Sequence, residues 1–183
     1  MVTRSNIALG TAIVFAIVGV SAAIAALRFL NPPPPRSGLL AVADRRPAAV
    51  TYPALGGGVV STADFAGRVV LVNYFATWCA PCRDELPDLE KIAADEAPRG
   101  LAVLAISADK PATDRQATVA AFAGEQDMGF PILLPPAEAP LFRDGMSVPQ
   151  TVLIDKSGRA AYHITGRFDT ADLRARIQEL LAE

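Results

Sequence analysis

The chain has 183 residues, enough for one folded domain with appended segments but not for several domains. Its net charge of −2 argues against a nucleic-acid-binding protein, because such proteins carry a strongly basic surface. Two cysteines are too few for the disulfide framework of a small secreted scaffold, and the high hydrophobic fraction of 51% reflects an apolar N-terminus.

An apolar segment follows a short N-terminal tail, residues 1–6. No charged residue occurs from Ile7 to Leu27, and about 20 apolar helical residues span a bilayer core of roughly 30 Å. A cleaved signal peptide is the alternative, since Ala23-Ile24-Ala25 offers a small-residue cleavage pattern. The apolar core of such a peptide usually has only about 7–15 residues. We therefore predict an uncleaved transmembrane anchor, residues 7–30, in the lipid bilayer.

The charges beside the anchor bear on its orientation. One arginine and the α-amine precede the uncharged stretch from Ile7 to Leu27, whereas four arginines follow it: Arg28, Arg36, Arg45 and Arg46. By the positive-inside rule this count alone would place the folded domain in the cytoplasm. A single N-terminal anchor is usually made by the signal-peptide route, however, which places the domain outside the cytoplasm. A family resemblance described below also favours the extracytoplasmic side. We therefore expect the domain on the extracytoplasmic side.

A run of prolines, Pro32 to Pro35, ends the apolar segment. Consecutive prolines form a stiff polyproline spacer of about 3.1 Å per residue. The residues from Ser37 to Ala49 show no clear period. We assign residues 31–49 to a proline-rich linker and residues 50–183 to the folded domain.

The first half of the folded domain alternates between strand and helix patterns. The stretch from Val69 to Phe75 is almost continuously apolar and β-branched, which is typical of a strand buried on both faces. Leu101 to Ser107 is a second such strand. Apolar residues at helical spacing follow each strand, first after the two cysteines and then over residues 114–125.

The second half adds a short strand at residues 131–134 and then two strands around the turn Lys156-Ser157-Gly158. A last helix has an apolar face, with Thr170 as its expected cap. The whole order is β-α-β-α-β-β-α. It predicts an α/β domain in which a mixed sheet lies between helices.

The only two cysteines lie where the first buried strand leads into a helix, in Trp78-Cys79-Ala80-Pro81-Cys82. A helix N-terminus leaves N–H groups unpaired and carries a partial positive charge, so it stabilises a thiolate. Cys79 should therefore have the lower pKa and act as the nucleophile. Cys82 lies about one turn further along and is expected to resolve the mixed disulfide. Pro81 fits the first turn, where no intrahelical N–H is lost.

The cysteine pair has two other interpretations. Half of a zinc site would need two more Cys or His ligands, and His163, which we expect on the solvent side of a strand, is the only other candidate. Two inert buried thiols would not need a proline between them. We expect dithiol/disulfide chemistry with no metal and no other cofactor.

Three segments of the sequence carry a family resemblance. They are Val72 to Pro87, Val148-Pro149-Gln150-Thr151 and Ile154-Asp155-Lys156-Ser157-Gly158. In these segments the chain resembles the thioredoxin fold and, within it, the TlpA/ResA-type membrane-anchored thiol-disulfide oxidoreductases. The likeness covers about residue 50 to the C-terminus and implies a thioredoxin-like fold.

The resemblance also implies a function and a location. It implies a single-pass protein of the inner (cytoplasmic) membrane whose periplasmic domain reduces disulfides in other proteins, often in cytochrome c maturation. Its partners would be a disulfide-containing substrate protein, with apocytochrome c as a candidate, and a membrane electron donor. Such a donor is needed because every turnover leaves Cys79 and Cys82 oxidised.

Several site residues follow from the resemblance by motif. Pro149, preceded by Val148, matches a cis-proline that presents a backbone edge to the substrate; an X–Pro bond is otherwise cis only about 5–6% of the time. Glu85 matches an acidic residue that could accept the proton of the second cysteine, and a solvated helix carboxylate is the alternative. Asn73 stands where cytosolic thioredoxins carry a buried Asp, which leaves Glu85 as the proton acceptor. Trp78 is expected to cover the rim of the site and contact the substrate.

Other functions are alternatives to disulfide reduction. A disulfide-forming oxidant or isomerase would use the same pair, but strong oxidants stabilise their reduced thiolate, and Ala80-Pro81 supplies no charge for this. A copper carrier would use the two soft thiolates, but it would be expected to add a His or Met ligand near the pair, where the sequence has none. A peroxidase would need a Thr-x-x-Cys setting, which this segment does not provide.

Overall fold

A computed structural model describes residues 38–143 and 145–183. The tail at residues 1–6, the predicted anchor at residues 7–30 and the proline run lie outside the described residues. Within the described residues, no helix combines the length and apolar character needed to cross a membrane.

The described residues contain eight β-strands. They are β1 (Arg46–Pro47), β2 (Thr51–Pro53), β3 (Val59–Ser61), β4 (Val69–Phe75), β5 (Leu101–Ser107), β6 (Ile132–Leu133), β7 (Gln150–Ile154) and β8 (Arg159–Thr165). Six of them form one sheet in the order β1-β8-β7-β4-β5-β6, and β2 and β3 form a separate hairpin. β4 lies parallel to β5 and antiparallel to β7. The predicted mixed sheet is therefore confirmed.

Four α-helices accompany the strands in the described part of the chain. They are α1 (Ala80–Glu96), α2 (Arg115–Glu125), α3 (Pro140–Arg143) and α4 (Thr170–Ala182). The sequence did not indicate α3, because one helical turn is too short to show a period. The sequence predicts Thr170 as the N-cap of α4, but the N-cap is Asp169. The Asp169 carboxylate accepts the Asp172 N–H at 2.8 Å. Both residue types are good caps, so sequence alone could not choose between them.

Apolar side chains cover both faces of the sheet. Residues of β4 alternate between two hydrophobic clusters, with Val69 and Leu71 in one and Val70 and Val72 in the other. The first cluster also contains apolar residues of α1 and α4 and both cysteines. Burying one such side chain stabilises the fold by roughly 1.5–3 kcal/mol. The end of β4, from which the cysteine segment starts, is therefore held from both sides.

The folded part begins earlier than residue 50, where we expected it. The Leu40 N–H donates to the Ala161 carbonyl at 2.7 Å, and β1 pairs with β8 at the sheet edge. Residues 40–47, assigned to the linker from sequence, thus belong to the fold. A two-residue strand leaves no alternation that sequence reasoning can detect.

Arg45 ties this segment to the rest of the domain. Its buried guanidinium donates to the Asp155 carboxylate at 3.1 Å and to both Glu183 carboxylate oxygens at 2.6 and 2.7 Å. The hydrogen bond from Arg45 lowers the pKa of Glu183. Burial alone would raise the pKa of Asp155, but hydrogen bonds from its neighbours, Arg45 among them, bring it below the ordinary value.

We expect Arg45→Ala to lower the free energy of unfolding by about 3 kcal/mol at neutral pH, because it removes the ion-pair partner of the buried Asp155 carboxylate. Both carboxylates have a lowered folded pKa, so this stabilisation is complete above their unfolded values near 4 and is lost as the pH falls through the folded values. Urea unfolding at pH 7 and at successively lower pH measures the difference. The exposed neighbour provides a control, since Arg46→Ala should change stability by less than about 0.5 kcal/mol; equal losses for both variants would contradict the prediction.

Candidate active site

The two cysteines lie at the N-terminus of α1. Cys79 is the N-cap residue, and its Sγ accepts the Cys82 backbone N–H at 3.2 Å. The two sulfurs are joined in a disulfide. Cys82 is fully buried, whereas Cys79 retains 5% exposure. The unpaired N–H groups and the partial positive charge of the helix end therefore fall on the Cys79 sulfur, which is the arrangement that stabilises a thiolate there.

Glu85 lies on the same helix, three residues after Cys82, and is only 1% exposed. The alternative of a solvated helix carboxylate is therefore wrong. Asn73 Nδ2 donates to Glu85 Oε1 at 2.8 Å and to Thr151 Oγ1 at 3.2 Å. Burial raises the pKa of Glu85 to about 7, although the hydrogen bond from Asn73 opposes the shift.

The environment of Glu85 favours its neutral form. Glu85 Oε2 and Asn73 Oδ1 are buried and have no hydrogen-bond partner among the described residues. An unsatisfied buried acceptor costs about 1–3 kcal/mol, and more if it is charged. Since residues three apart share a helix face, the Glu85 carboxyl group and the Cys82 thiol lie on the same side of α1. A carboxyl group of this kind can take up or release a proton near neutral pH.

The peptide bond between Val148 and Pro149 is cis, as the resemblance implies. Pro149 is buried, and its carbonyl accepts the Gly166 N–H at 2.8 Å. Val148 is half-buried and packs against the hydrophobic cluster that contains Cys79 and Cys82. The structure thus brings the residue before the cis-proline onto the same cluster as the redox pair.

Trp78 is 71% exposed and borders a cleft of about 520 Å³. The apolar part of the cleft wall comes from residues that include Ala108, Phe142 and Met146. An exposed indole directly before Cys79 agrees with the predicted place at the rim of the site.

His163 is exposed on β8, as predicted, and its Nε2 lies 2.9 Å from Gln150 Oε1. In the described ranges 38–143 and 145–183, no three His, Cys, Asp or Glu residues are grouped as metal ligands.

Sequence reasoning missed two residues near the site. Thr151 faces Asn73 across the β4–β7 pair and accepts a hydrogen bond from it. Asp109 accepts hydrogen bonds from Thr77, two residues before Cys79. Thr151 lies in an otherwise apolar strand and Asp109 lies just after one. A polar residue at such a position is a signal in the sequence, because a buried polar group needs a hydrogen-bond partner.

Glu85→Gln should remove a pH dependence of stability. The folded pKa of about 7 lies above the ordinary value of 4.5, so the folded state binds the proton more tightly than the unfolded state. The contribution of Glu85 to stability is therefore most favourable below pH 4.5, and it falls by on the order of 3 kcal/mol as the pH rises to 7. Denaturant unfolding of the oxidised protein across this range should show the fall in wild type and in the exposed control Glu125→Gln, but not in Glu85→Gln. A parallel pH profile for all three proteins would contradict the raised pKa.

A family model described as the AhpC/TSA family matches residues 43–163. The thioredoxin-like protein YneN from Bacillus subtilis (strain 168) is 40% identical over 107 residues, which are 57% of this chain and 60% of that protein. The thiol-disulfide oxidoreductase ResA from Geobacillus thermodenitrificans (strain NG80-2) is 29% identical over 118 residues, 64% of this chain and 66% of that protein. The chain thus spans just under two thirds of the length of these relatives.

A solved structure gives the same result for the fold. A thiol:disulfide interchange protein of the thioredoxin family from Chlorobium tepidum TLS superposes with a TM-score of 0.65 at 27% identity, over 77% of this chain and 99% of that one. The thioredoxin-like fold and the resemblance to ResA-type proteins are therefore confirmed. The family model matches well over half of the length of this chain, and the chain therefore belongs to the AhpC/TSA family.

Proposed function

We propose that this protein is an extracytoplasmic thiol-disulfide oxidoreductase that reduces disulfides in other proteins. The observation that carries the proposal is the position of Cys79 Sγ at the N-cap of α1, where it accepts the N–H of Cys82, with the buried Glu85 carboxyl group about one turn after Cys82. The names of the relatives support the class of activity, since ResA is described as a thiol-disulfide oxidoreductase.

The reaction starts from the reduced pair. The Cys79 thiolate attacks one sulfur of the substrate disulfide, which forms a Cys79–substrate disulfide and breaks the substrate's own S–S bond. The other substrate sulfur leaves as a thiolate and takes a proton from solvent. A thiol pKa near 7 in place of 8.5 raises the thiolate fraction at neutral pH from a few per cent to about half, so the helix end speeds this step.

The second step releases the substrate. The Cys82 thiol gives its proton to the Glu85 carboxylate, and the Cys82 thiolate attacks the Cys79 sulfur. The Cys79–Cys82 disulfide forms and the second substrate sulfur leaves as a thiolate. The substrate has gained two electrons and ends as a dithiol, while the enzyme ends in the oxidised form that the structure shows.

Glu85 suits the role of proton acceptor because no other titratable side chain lies on this face of the first turns of α1. Cys82 is buried, so its proton needs an acceptor within the protein. A carboxyl group with a pKa of about 7 is close to the pKa of a thiol, and matched pKa values favour proton transfer in both directions.

The backbone of Val148 is proposed as the edge on which an extended substrate segment lies, beside its disulfide. Main-chain pairing of this kind accepts many sequences, because the backbone groups are the same in all of them. Trp78 is proposed to contact the substrate from the rim of the site. The cis bond at Pro149 and the packing of Val148 against the cysteine cluster support this arrangement.

The proposed location follows from the sequence. Residues 7–30 would anchor the protein in the inner membrane, and the linker would hold the domain on the periplasmic side. A membrane electron donor would return two electrons to the Cys79–Cys82 disulfide after each turnover. Cytochrome c maturation is the setting that the resemblance to the ResA-type family implies. Apocytochrome c is therefore the proposed substrate.

The reduction potential of the cysteine pair tests the direction of electron flow. For a reductant we expect a value near that of thioredoxin, about −270 mV, and for a disulfide-forming oxidant a value near −120 mV. Equilibration of the full chain with glutathione buffers, followed by alkylation of the free thiols, gives the potential. Cys82→Ser, which cannot form the pair, corrects for mixed disulfides with glutathione. A potential above about −150 mV would contradict the reductase proposal.

Glu85→Gln should slow the second step and leave the first unchanged. Proton transfer from a positioned group usually contributes about 10²–10⁴-fold, so we expect release of the substrate to slow at least 100-fold. In the wild type the rate of release should rise with pH through about 7 as Glu85 loses its proton, and the variant should lack this rise. Single-turnover mixing with a disulfide-containing protein and quenching in acid measures both steps.

The first step can be isolated because Cys82→Ser stops the reaction at the mixed disulfide. Addition of Glu85→Gln to this variant should not change the rate at which the mixed disulfide forms. The exposed control Glu125→Gln should release the substrate at the wild-type rate. Release that is equally fast in Glu85→Gln and the wild type would exclude Glu85 as the proton acceptor.

A further inference from the structure

Every polar group of Thr77, two residues before Cys79, has a hydrogen-bond partner. The Thr77 N–H donates to both carboxylate oxygens of Asp109 at 3.2 and 3.1 Å, and its hydroxyl donates to Asp109 Oδ1 at 2.7 Å. The Thr77 carbonyl accepts from Arg83 Nη2 at 3.2 Å. Thr77 is thus held between the loop after β5 and the first turns of α1.

Asp109 is itself firmly placed. It is 8% exposed, and its Oδ2 accepts the Ser107 hydroxyl at 3.0 Å while its own N–H donates to Ser107 Oγ at 3.2 Å. Ser107 is the last residue of β5 and pairs with Phe75, the last residue of β4. The Asp109 carboxylate is therefore fixed to the central sheet through one buried residue.

Thr77 is joined to Cys79 through Trp78 alone. A turn connects them, in which the Cys79 N–H donates to the Ala76 carbonyl at 3.1 Å. After this turn, Cys79 Sγ lies 3.2 Å from the Cys82 nitrogen. Hydrogen bonds weaken quickly beyond such distances, so a shift of about 1 Å would remove the contact that stabilises the thiolate.

We propose that Asp109 is a positioning residue for Cys79: it holds Thr77 so that the Cys79 sulfur stays on the Cys82 N–H when the disulfide is open. In the oxidised state the S–S bond itself ties the two cysteines together. In the reduced and mixed-disulfide states that bond is absent, and the hydrogen bonds to Thr77 keep the loop in place. The proposal rests on thiol-disulfide exchange at Cys79 as proposed above, but not on the direction of electron flow.

A positioning role and a purely electrostatic role of Asp109 predict opposite results. A carboxylate that acted through its charge would destabilise the nearby thiolate, so its removal would lower the pKa of Cys79. A carboxylate that holds Thr77 keeps the sulfur on the N–H, so its removal would raise the pKa of Cys79. A carboxylate with only a structural role would change stability and leave the pKa unchanged.

The test measures the pKa of Cys79 in the full-length chain that carries Cys82→Ser, from the ultraviolet absorbance of the thiolate. With Asp109→Ala added, we expect the pKa to rise toward the value of about 8.5 for a free cysteine. The thiolate fraction at neutral pH falls accordingly, and the rate of reaction with a small aromatic disulfide should fall about tenfold. Denaturant unfolding of the same proteins reports stability separately.

Three further variants keep the test decisive. Asp109→Asn removes the charge but keeps an oxygen for Thr77, so it should restore a pKa near that of the parent. Thr77→Val keeps the shape but loses the hydroxyl donor; it should raise the pKa to a smaller extent, and it decides the question if Asp109→Ala does not fold. Asp114→Ala is the matched control. Asp114 and Asp109 both border the cleft beside Trp78, but the Asp114 side chain makes no capping hydrogen bond.

A lowered or unchanged pKa in Asp109→Ala would overturn the proposal, as would an Asp109→Asn variant that behaves like Asp109→Ala. These outcomes are distinct from a failure of the proposed function. If Cys82→Ser formed no mixed disulfide with protein disulfides, the reductase proposal would fail, yet the pKa of Cys79 could still be compared among the variants.

Discussion

At the start of α1 the Cys82 N–H, which has no acceptor within the helix, donates to the sulfur of Cys79. A directed bond of this kind requires that the helix end and the sulfur hold fixed positions. β4 supplies one fixed point, because it is buried on both faces and ends four residues before Cys79. α1 supplies the other, since Leu86, Leu89 and Ile92 bury its apolar face in the same cluster as the cysteines. Packing of the core is therefore a condition for the reactivity of the pair.

The buried carboxyl group of Glu85 shows that the same core is not optimised for stability alone. It faces Asn73, and Asn73 in turn contacts Thr151 on β7, two residues after the cis-proline. One amide thus links the helix that carries the cysteines with the strand that follows the proposed substrate edge. An apolar residue at position 85 would remove the unsatisfied acceptor Glu85 Oε2. Active sites often retain such destabilising groups because they supply the chemistry.

Periodicity in the sequence predicted β4, β5, α1 and the order of the later elements, because long buried strands and amphipathic helices repeat their apolar residues. Residues 40–47 and α3 are too short to repeat anything. The burial of Arg45 was not predictable either, since charged side chains are usually exposed and its partners lie 110 and 138 positions away. For the site, the motif was enough to locate both cysteines, whereas the contact between Asp109 and Thr77 spans 32 positions and exists only in the folded chain.

That contact follows from the register of two parallel strands. β4 and β5 run together with Phe75 opposite Ser107, so their carboxyl ends reach the same edge of the sheet, where open α/β folds place their functional sites. The loop from each strand end then meets the other: Thr77 comes from β4, and Asp109 comes from β5. A Cys-x-x-Cys motif could also begin a helix that does not follow two parallel strands. It would then have the unpaired N–H groups of the helix N-terminus, but no neighbouring loop would hold the loop before the cysteines. The proposed reactivity of Cys79 would for this reason depend on β4, β5 and α1 together, and not on the motif by itself.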